Sequence, residues 1–331
     1  MKNAIYLIVF ATFMTFIGCV SGQQQQPVSA EVVQYAEPAN GRRPVLADQI
    51  SLPEEDAGYT LILPKEKKAK ALVVFFNAGR DTSDAGFEMR LYTEALKREV
   101  ACLYLTTGNR FEFLFEETAF RKLDGYLYRA ITENGLPKDQ LLFTGMSLAG
   151  TRAMKFGIWC QQGKSANGIF PKAIAVCDAP LDMVRFWKQL TRSKKLKLNE
   201  IAANEAEWVT AVLERNLGGT PSDNISTYYD YSPYCHEIEN GGSAAVLKNT
   251  PFRAYTEPDV EWWMKNRGND YYSMNAMDAA AVVNQLAILG NERAELILTE
   301  NKGFKPDGSR HPHSWSIVDN GELVEWLLGL E

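Results

Sequence analysis

The stretch 141-LLFTGMSLAG-150 ends an apolar run in a serine set among small residues. A serine hydroxyl is a poor nucleophile until a base takes its proton and hydrogen-bond donors receive the oxyanion it creates. A sharp strand–serine–helix turn meets both needs. It lifts the hydroxyl off the strand and aims the N–H groups of a helix start at the reacting carbonyl. The turn is tight, so the positions two before and two after the serine must be small. Here they are Gly145 and Ala149, one methyl away from the strict Gly-x-Ser-x-Gly form. Ser147 is the candidate nucleophile for acyl transfer. The plainer alternative is a serine capping a helix, since Ser is a preferred N-cap.

The elements around Ser147 bear on that choice. Short apolar runs read as strands at 59–64, 71–79, 100–108, 141–145, 172–180, 251–259 and 294–301. Helical spacing occupies 84–99, 116–134, 148–159, near 272–290, and 317–330. Alternation of fully apolar strands with helices is the pattern of a mostly parallel sheet covered on both faces, an α/β fold class. The rhythm breaks between about 183 and 248, where a helix-like run (203–217) and the aromatic 228-YYDYSPYCH-236 form an insert.

With that context the chain resembles an α/β-hydrolase from about residue 58 to 331, with the insert where that family carries a cap. The resemblance implies a catalytic order of nucleophile, acid, histidine. The chain has three histidines. His236 lies in the insert, upstream of the acid strand; His311 and His313 lie between the last strand and the last helix, where the family places its base. His313, in 313-HSW-315 beside that helix, is the expected base, with His311 its rival. The acid is expected after 251-PFRAY-255. The turn offers Glu257, Asp259 and Glu261, and Asp259, after Pro258, fits the family position best. Asp178 and Asp182 are the runners-up, because some members take the acid from the preceding strand. The oxyanion donors implied are the N–H of Leu148 and one from Ala78 or Gly79 in 77-NAGRD-81, where Asn77 replaces the family's usual histidine.

Composition narrows the class. The chain has 331 residues, 46% hydrophobic, with a net charge of -6. That mild acidity, with one short basic stretch at 193–200, argues against nucleic acid as a partner. Three dispersed histidines suggest no metal set, no phosphate loop is present, and no cofactor is expected. The N-terminus carries Lys2, an apolar run from Ala4 to Ile17, and 16-FIGC-19. This is similar to a bacterial lipoprotein signal, which implies residues 1–18 as signal peptide and Cys19 as the lipidated start. Ordinary cleavage after Gly22 is the alternative; either way the chain is exported. It would then be a membrane-anchored lipoprotein of the outer membrane, or periplasmic or secreted. Residues 19–45, Gln-rich and Pro-dotted, read as a tether, leaving 46–331 as the hydrolase domain. Cys102 and Cys177 read as buried thiols, and a Cys160–Cys235 disulfide is conceivable in an oxidising compartment.

The functional expectation is an exported serine hydrolase cleaving carboxylic esters, small or carbohydrate-linked, through an acyl-enzyme. Tyr228, Tyr229, Tyr231, Tyr234, Trp262 and Trp263 are candidates to line an acyl pocket or stack on sugars, or to form cap core. The alternatives are a serine peptidase of the prolyl-oligopeptidase-like branch and a non-catalytic binding lipoprotein on a hydrolase scaffold.

Overall fold

A computed structural model of the chain describes residues 30–37, 42–46, 50–53, 56–65, 68–76, 89–109, 112–197 and 200–331. In chain order its elements are β1 (Ala30–Glu37), β2 (Arg42–Leu46), β3 (Ile50–Pro53), β4 (Ala57–Pro64), β5 (Ala71–Phe76), α1 (Met89–Lys97), β6 (Val100–Thr106), α2 (Glu117–Glu133), β7 (Leu141–Met146), α3 (Leu148–Gln161), β8 (Ala173–Cys177), α4 (Met183–Leu196), α5 (Glu200–Leu217), α6 (Ile225–Tyr231), β9 (Phe252–Thr256), α7 (Val260–Arg267), α8 (Ala276–Ile288), β10 (Ala294–Leu298) and α9 (Asn320–Gly329). Among the described residues, eight strands form one sheet in the order β1-β4-β6-β5-β7-β8-β9-β10. β4 runs antiparallel to β1 and β6, and every pairing from β6 to β10 is parallel.

The apolar strands divide their side chains between two cores, as a period of two requires. In β5, Leu72, Val74 and Phe76 face one cluster, shared with α2, α3 and α8. Ala71, Val73 and Phe75 face the other, shared with α1 and α9. The chain runs from β5 outward to β6 and then returns to place β7 on the far side of β5. At such a switch point the connections after neighbouring strands diverge and leave a crevice at the strands' C-terminal ends. Ser147 follows β7 directly at that switch point.

The insert 183–247 consists of α4, α5, α6 and a 3-10 segment at Glu239–Leu247. It has a core of its own: Val184, Leu190, Val209, Leu213 and Tyr228 pack together, with Phe113 from the β6–α2 loop and Leu148 against them. No helix among the described residues is long and apolar enough to cross a membrane.

Two expectations are corrected. The tether was expected to run to residue 45, but Ala30–Glu37 is an edge strand, paired along its length with β4. The reason is an amphipathic alternation hidden by polar neighbours: Tyr35 stacks on Tyr59 and meets Tyr126, both at 5.6 Å between ring centroids, while the Arg129 guanidinium lies 4.1 Å over its ring. The signal peptide, Cys19 and the rest of the tether up to residue 29 lie outside the described residues. Cys160 and Cys235 are separate, free, buried thiols; Cys102 and Cys177 are buried and free as well.

Candidate active site

β7 ends at Met146, and Ser147 turns the chain into α3 with φ 54° and ψ −126°. That left-handed conformation is uncommon for a residue with a side chain and costs about 1–3 kcal/mol. It persists because its surroundings over-determine it. Ser147 N–H donates to the Cys177 carbonyl at 2.8 Å, locking the turn to β8. A Cβ on Gly145 would come within 2.4 Å of the Ala149 backbone, and one on Gly150 within 2.8 Å of Ala179 Cβ. Gly145 therefore has no substitute, whereas Ala149 fits; the second compulsory glycine is Gly150. The helix-cap alternative fails on geometry, because the Ser147 side chain makes no capping hydrogen bond.

β8 pairs with β7 in parallel, Met146 opposite Cys177, so the residue after β8 stands beside the one after β7. That residue is Asp178, buried and also at positive φ (43°). Its N–H donates to Tyr255 O, Thr256 Oγ1 donates to its Oδ1 at 2.9 Å, and Asn275 Nδ2 donates to its carbonyl. The remaining oxygen, Oδ2, accepts from His313 Nδ1 at 2.6 Å. A carboxylate only accepts, so Nδ1 carries the proton and Nε2 presents its lone pair. Burial opposes the charged imidazolium, but the hydrogen bond and charge of Asp178 outweigh it, and His313 is held above the ordinary histidine range. The thiol of Cys177 reaches Ser314 O at 3.9 Å, so the loop bearing His313 lies against the end of β8.

The expected acid, Asp259, is not the partner of His313. Its Oδ1 accepts from Trp262 N–H and so caps α7, and its Oδ2 pairs with Arg310 at 2.8 Å. The Pro258 turn does position Asp259, but as a helix cap. Arg310 also pairs with buried Glu257 at 2.5 Å, and Glu257 further accepts from Thr299 Oγ1 and the N–H groups of Lys302 and Gly303. This acidic turn thus braces the histidine loop. Glu261 is the acidic residue of α7's first turn.

The other expected residues separate cleanly. Asp182 caps α4, accepting from Val184 and Arg185 N–H, and takes His236 N–H on its second oxygen. His236 Nε2 lies 3.0 Å from Asp278 Oδ1, and Asp278, fully buried, is gripped by Arg185 through bonds of 2.5 and 2.7 Å. That network ties the insert to α8 and, through Arg185 and Asn275, to the Asp178 carbonyl. Leu148 is the first residue of α3, whose N–H no intrahelical carbonyl can take. Ala78 and Gly79 lie outside the described residues. Of the aromatics, Tyr228 lies in the insert's core, Tyr234 is buried in the core that α3 and α8 share with the sheet, and Tyr231 stacks on Phe115 at 4.9 Å. Trp263 reaches His313, at 6.4 Å between centroids, and Trp262 meets His311 at 4.9 Å.

No protein-family model matches the chain, and no curated protein matches it. Solved structures do. The chain is similar to carboxyl esterase 2 of the mycorrhizal fungus Tuber melanosporum, with a TM-score of 0.54 at 12% identity over 94% of this chain and 90% of that one. It is similar to an esterase of Pyrobaculum calidifontis, with a TM-score of 0.54 at 13% identity over 91% and 85%. MPT51 of Mycobacterium tuberculosis gives 0.52 at 14% identity over 83% and 93%. The chain has the α/β-hydrolase fold. In this fold Ser147 lies at the turn between β7 and α3, and His313 in the loop before α9.

Proposed function

We propose that this chain is a serine hydrolase of carboxylic esters, with Ser147 as nucleophile, His313 as general base and Asp178 as the orienting acid. The observation that carries the reading is the strained Ser147 turn beside a His313–Asp178 pair that leaves Nε2 as the basic nitrogen. In the first half-reaction His313 Nε2 takes the hydroxyl proton as Oγ attacks the carbonyl, and Asp178 stabilises the imidazolium without itself becoming protonated. The tetrahedral oxyanion is received by the Leu148 N–H at the start of α3. Collapse expels the alcohol, which takes its proton from His313, and water then repeats the sequence on the acyl-enzyme. The esterases among the structural neighbours favour an ester over an amide.

We further propose that the enzyme is exported and lipid-anchored at Cys19, on the strength of 16-FIGC-19 alone. The test of function is turnover of short aryl esters beside aminoacyl anilides. Ester hydrolysis lost in Ser147→Ala supports the reading; preference for the anilide converts it to a peptidase; no turnover of either by the folded wild type overturns it.

A further inference from the structure

His311 is buried at 8% exposure, yet it is not the base. Its Nδ1 lies 2.9 Å from the His313 carbonyl, and its Nε2 lies 3.1 Å from Arg267 Nη2. A guanidinium can only donate and a carbonyl can only accept. Both contacts are hydrogen bonds in a single state: a neutral imidazole with its proton on Nδ1, accepting from Arg267 at Nε2. Trp262 and Trp263 close on the ring edge-on, at 4.9 and 6.0 Å between centroids. The ring is thus held in plane, in tautomer and in charge.

We propose that His311 is a positioning residue for the base: locked by Arg267, it holds the main-chain carbonyl of His313 while Asp178 holds the ring. His313 is then fixed at both ends, and the one other imidazole of the loop is kept from competing for the nucleophile's proton. The charged groups facing His311 agree with this. Burial first, then the charges of His313, Arg267 and Lys305, press its pKa down to about 4. A proton on Nε2 would set two donors against each other at the Arg267 contact. The inference rests on His313 being the base.

The test separates the two nitrogens. An asparagine amide places its N–H near the position of His Nδ1, and a glutamine amide reaches the position of Nε2. His311→Asn keeps the donor to the His313 carbonyl; His311→Gln keeps a group for Arg267 but loses that donor. The expected result is a fall of about tenfold in kcat, with KM unchanged, for His311→Ala and His311→Gln, and recovery of most of the loss in His311→Asn. Tenfold corresponds to about 1.4 kcal/mol of transition-state stabilisation. Equal losses in all three folded variants would overturn the inference. A second readout is independent of turnover. With 15N-labelled histidine, and three histidines assignable by substitution, His311 must appear neutral with its proton on Nδ1 at pH 6. The Nε2–H tautomer, or a charged ring, overturns the positioning role while leaving the hydrolase reading intact. Loss of several orders of magnitude in His311→Ala with His313→Ala still active would instead overturn His313 as the base.

Discussion

Asp178→Asn is the substitution whose size the structure sets most directly. The carboxylate is buried, and its Oδ2 sits 2.6 Å from His313 Nδ1. When His313 becomes imidazolium in the transition state, the charge centres are about 4 Å apart. With an effective dielectric of about 20, the attraction is about 4 kcal/mol, or about 10³ in rate. The amide loses this term, and it can turn its NH₂ toward Nδ1, which moves the imidazole proton to Nε2 and removes the basic lone pair. The fold should survive, because Thr256 and the Tyr255 carbonyl still hold the residue. The assay is steady-state hydrolysis of a short aryl ester, with circular dichroism confirming the fold. The expected outcome is kcat lower by about 10³ and KM little changed. Asp259→Asn, whose carboxylate is bonded to α7 and Arg310 among the described residues, should stay within about threefold of wild type. Retention of a tenth of wild-type kcat by Asp178→Asn, or an equal collapse in Asp259→Asn, would refute the assignment.

Other consequences follow from the same contacts. Because the base works only when neutral and Asp178 holds His313 above the ordinary histidine value, kcat/KM should rise with pH through a limb above about 6.5. That limb should move to lower pH in Asp178→Asn; a wild-type limb below 6 would contradict the pairing. Gly145→Ala should destabilise by about 1–3 kcal/mol and abolish activity, since the new methyl meets the Ala149 backbone at 2.4 Å; denaturant midpoints check the first part and ester turnover the second. Asp278→Ala should cost about 3–5 kcal/mol in stability by leaving Arg185 buried without its partner, again read from denaturation.

The parts of this molecule legible in sequence are those whose chemistry is contiguous. Ser147 carries its own turn with it, because Gly145 and Gly150 are dictated by backbone contacts a few residues away. The parallel strands announce themselves because burial on both faces demands apolar runs. β1 did not, because an edge strand with half-exposed residues spells only a weak alternation, and it completes its core face with rings from β4 and α2. The loop that carries His313 was legible because it abuts the last helix. The carboxylate that bonds His313 was not, because it depends on which strand lies beside β7, and sequence does not print strand order. Asp259 satisfies the local pattern of strand, turn and acid, but its carboxylate is consumed by α7 and Arg310. His311 poses the same problem in miniature: its tautomer is set by Arg267, 44 residues away.

The measurement that bears most directly on the central claim is covalent labelling of the folded protein with a fluorophosphonate, read by intact mass and peptide mapping. Such a reagent reacts with a serine only where a base and an oxyanion site activate it. The account predicts a single adduct, on the peptide containing Ser147, absent in Ser147→Ala and formed far more slowly in His313→Ala and Asp178→Asn. A folded protein that takes no adduct, or takes it on another residue, would contradict the account.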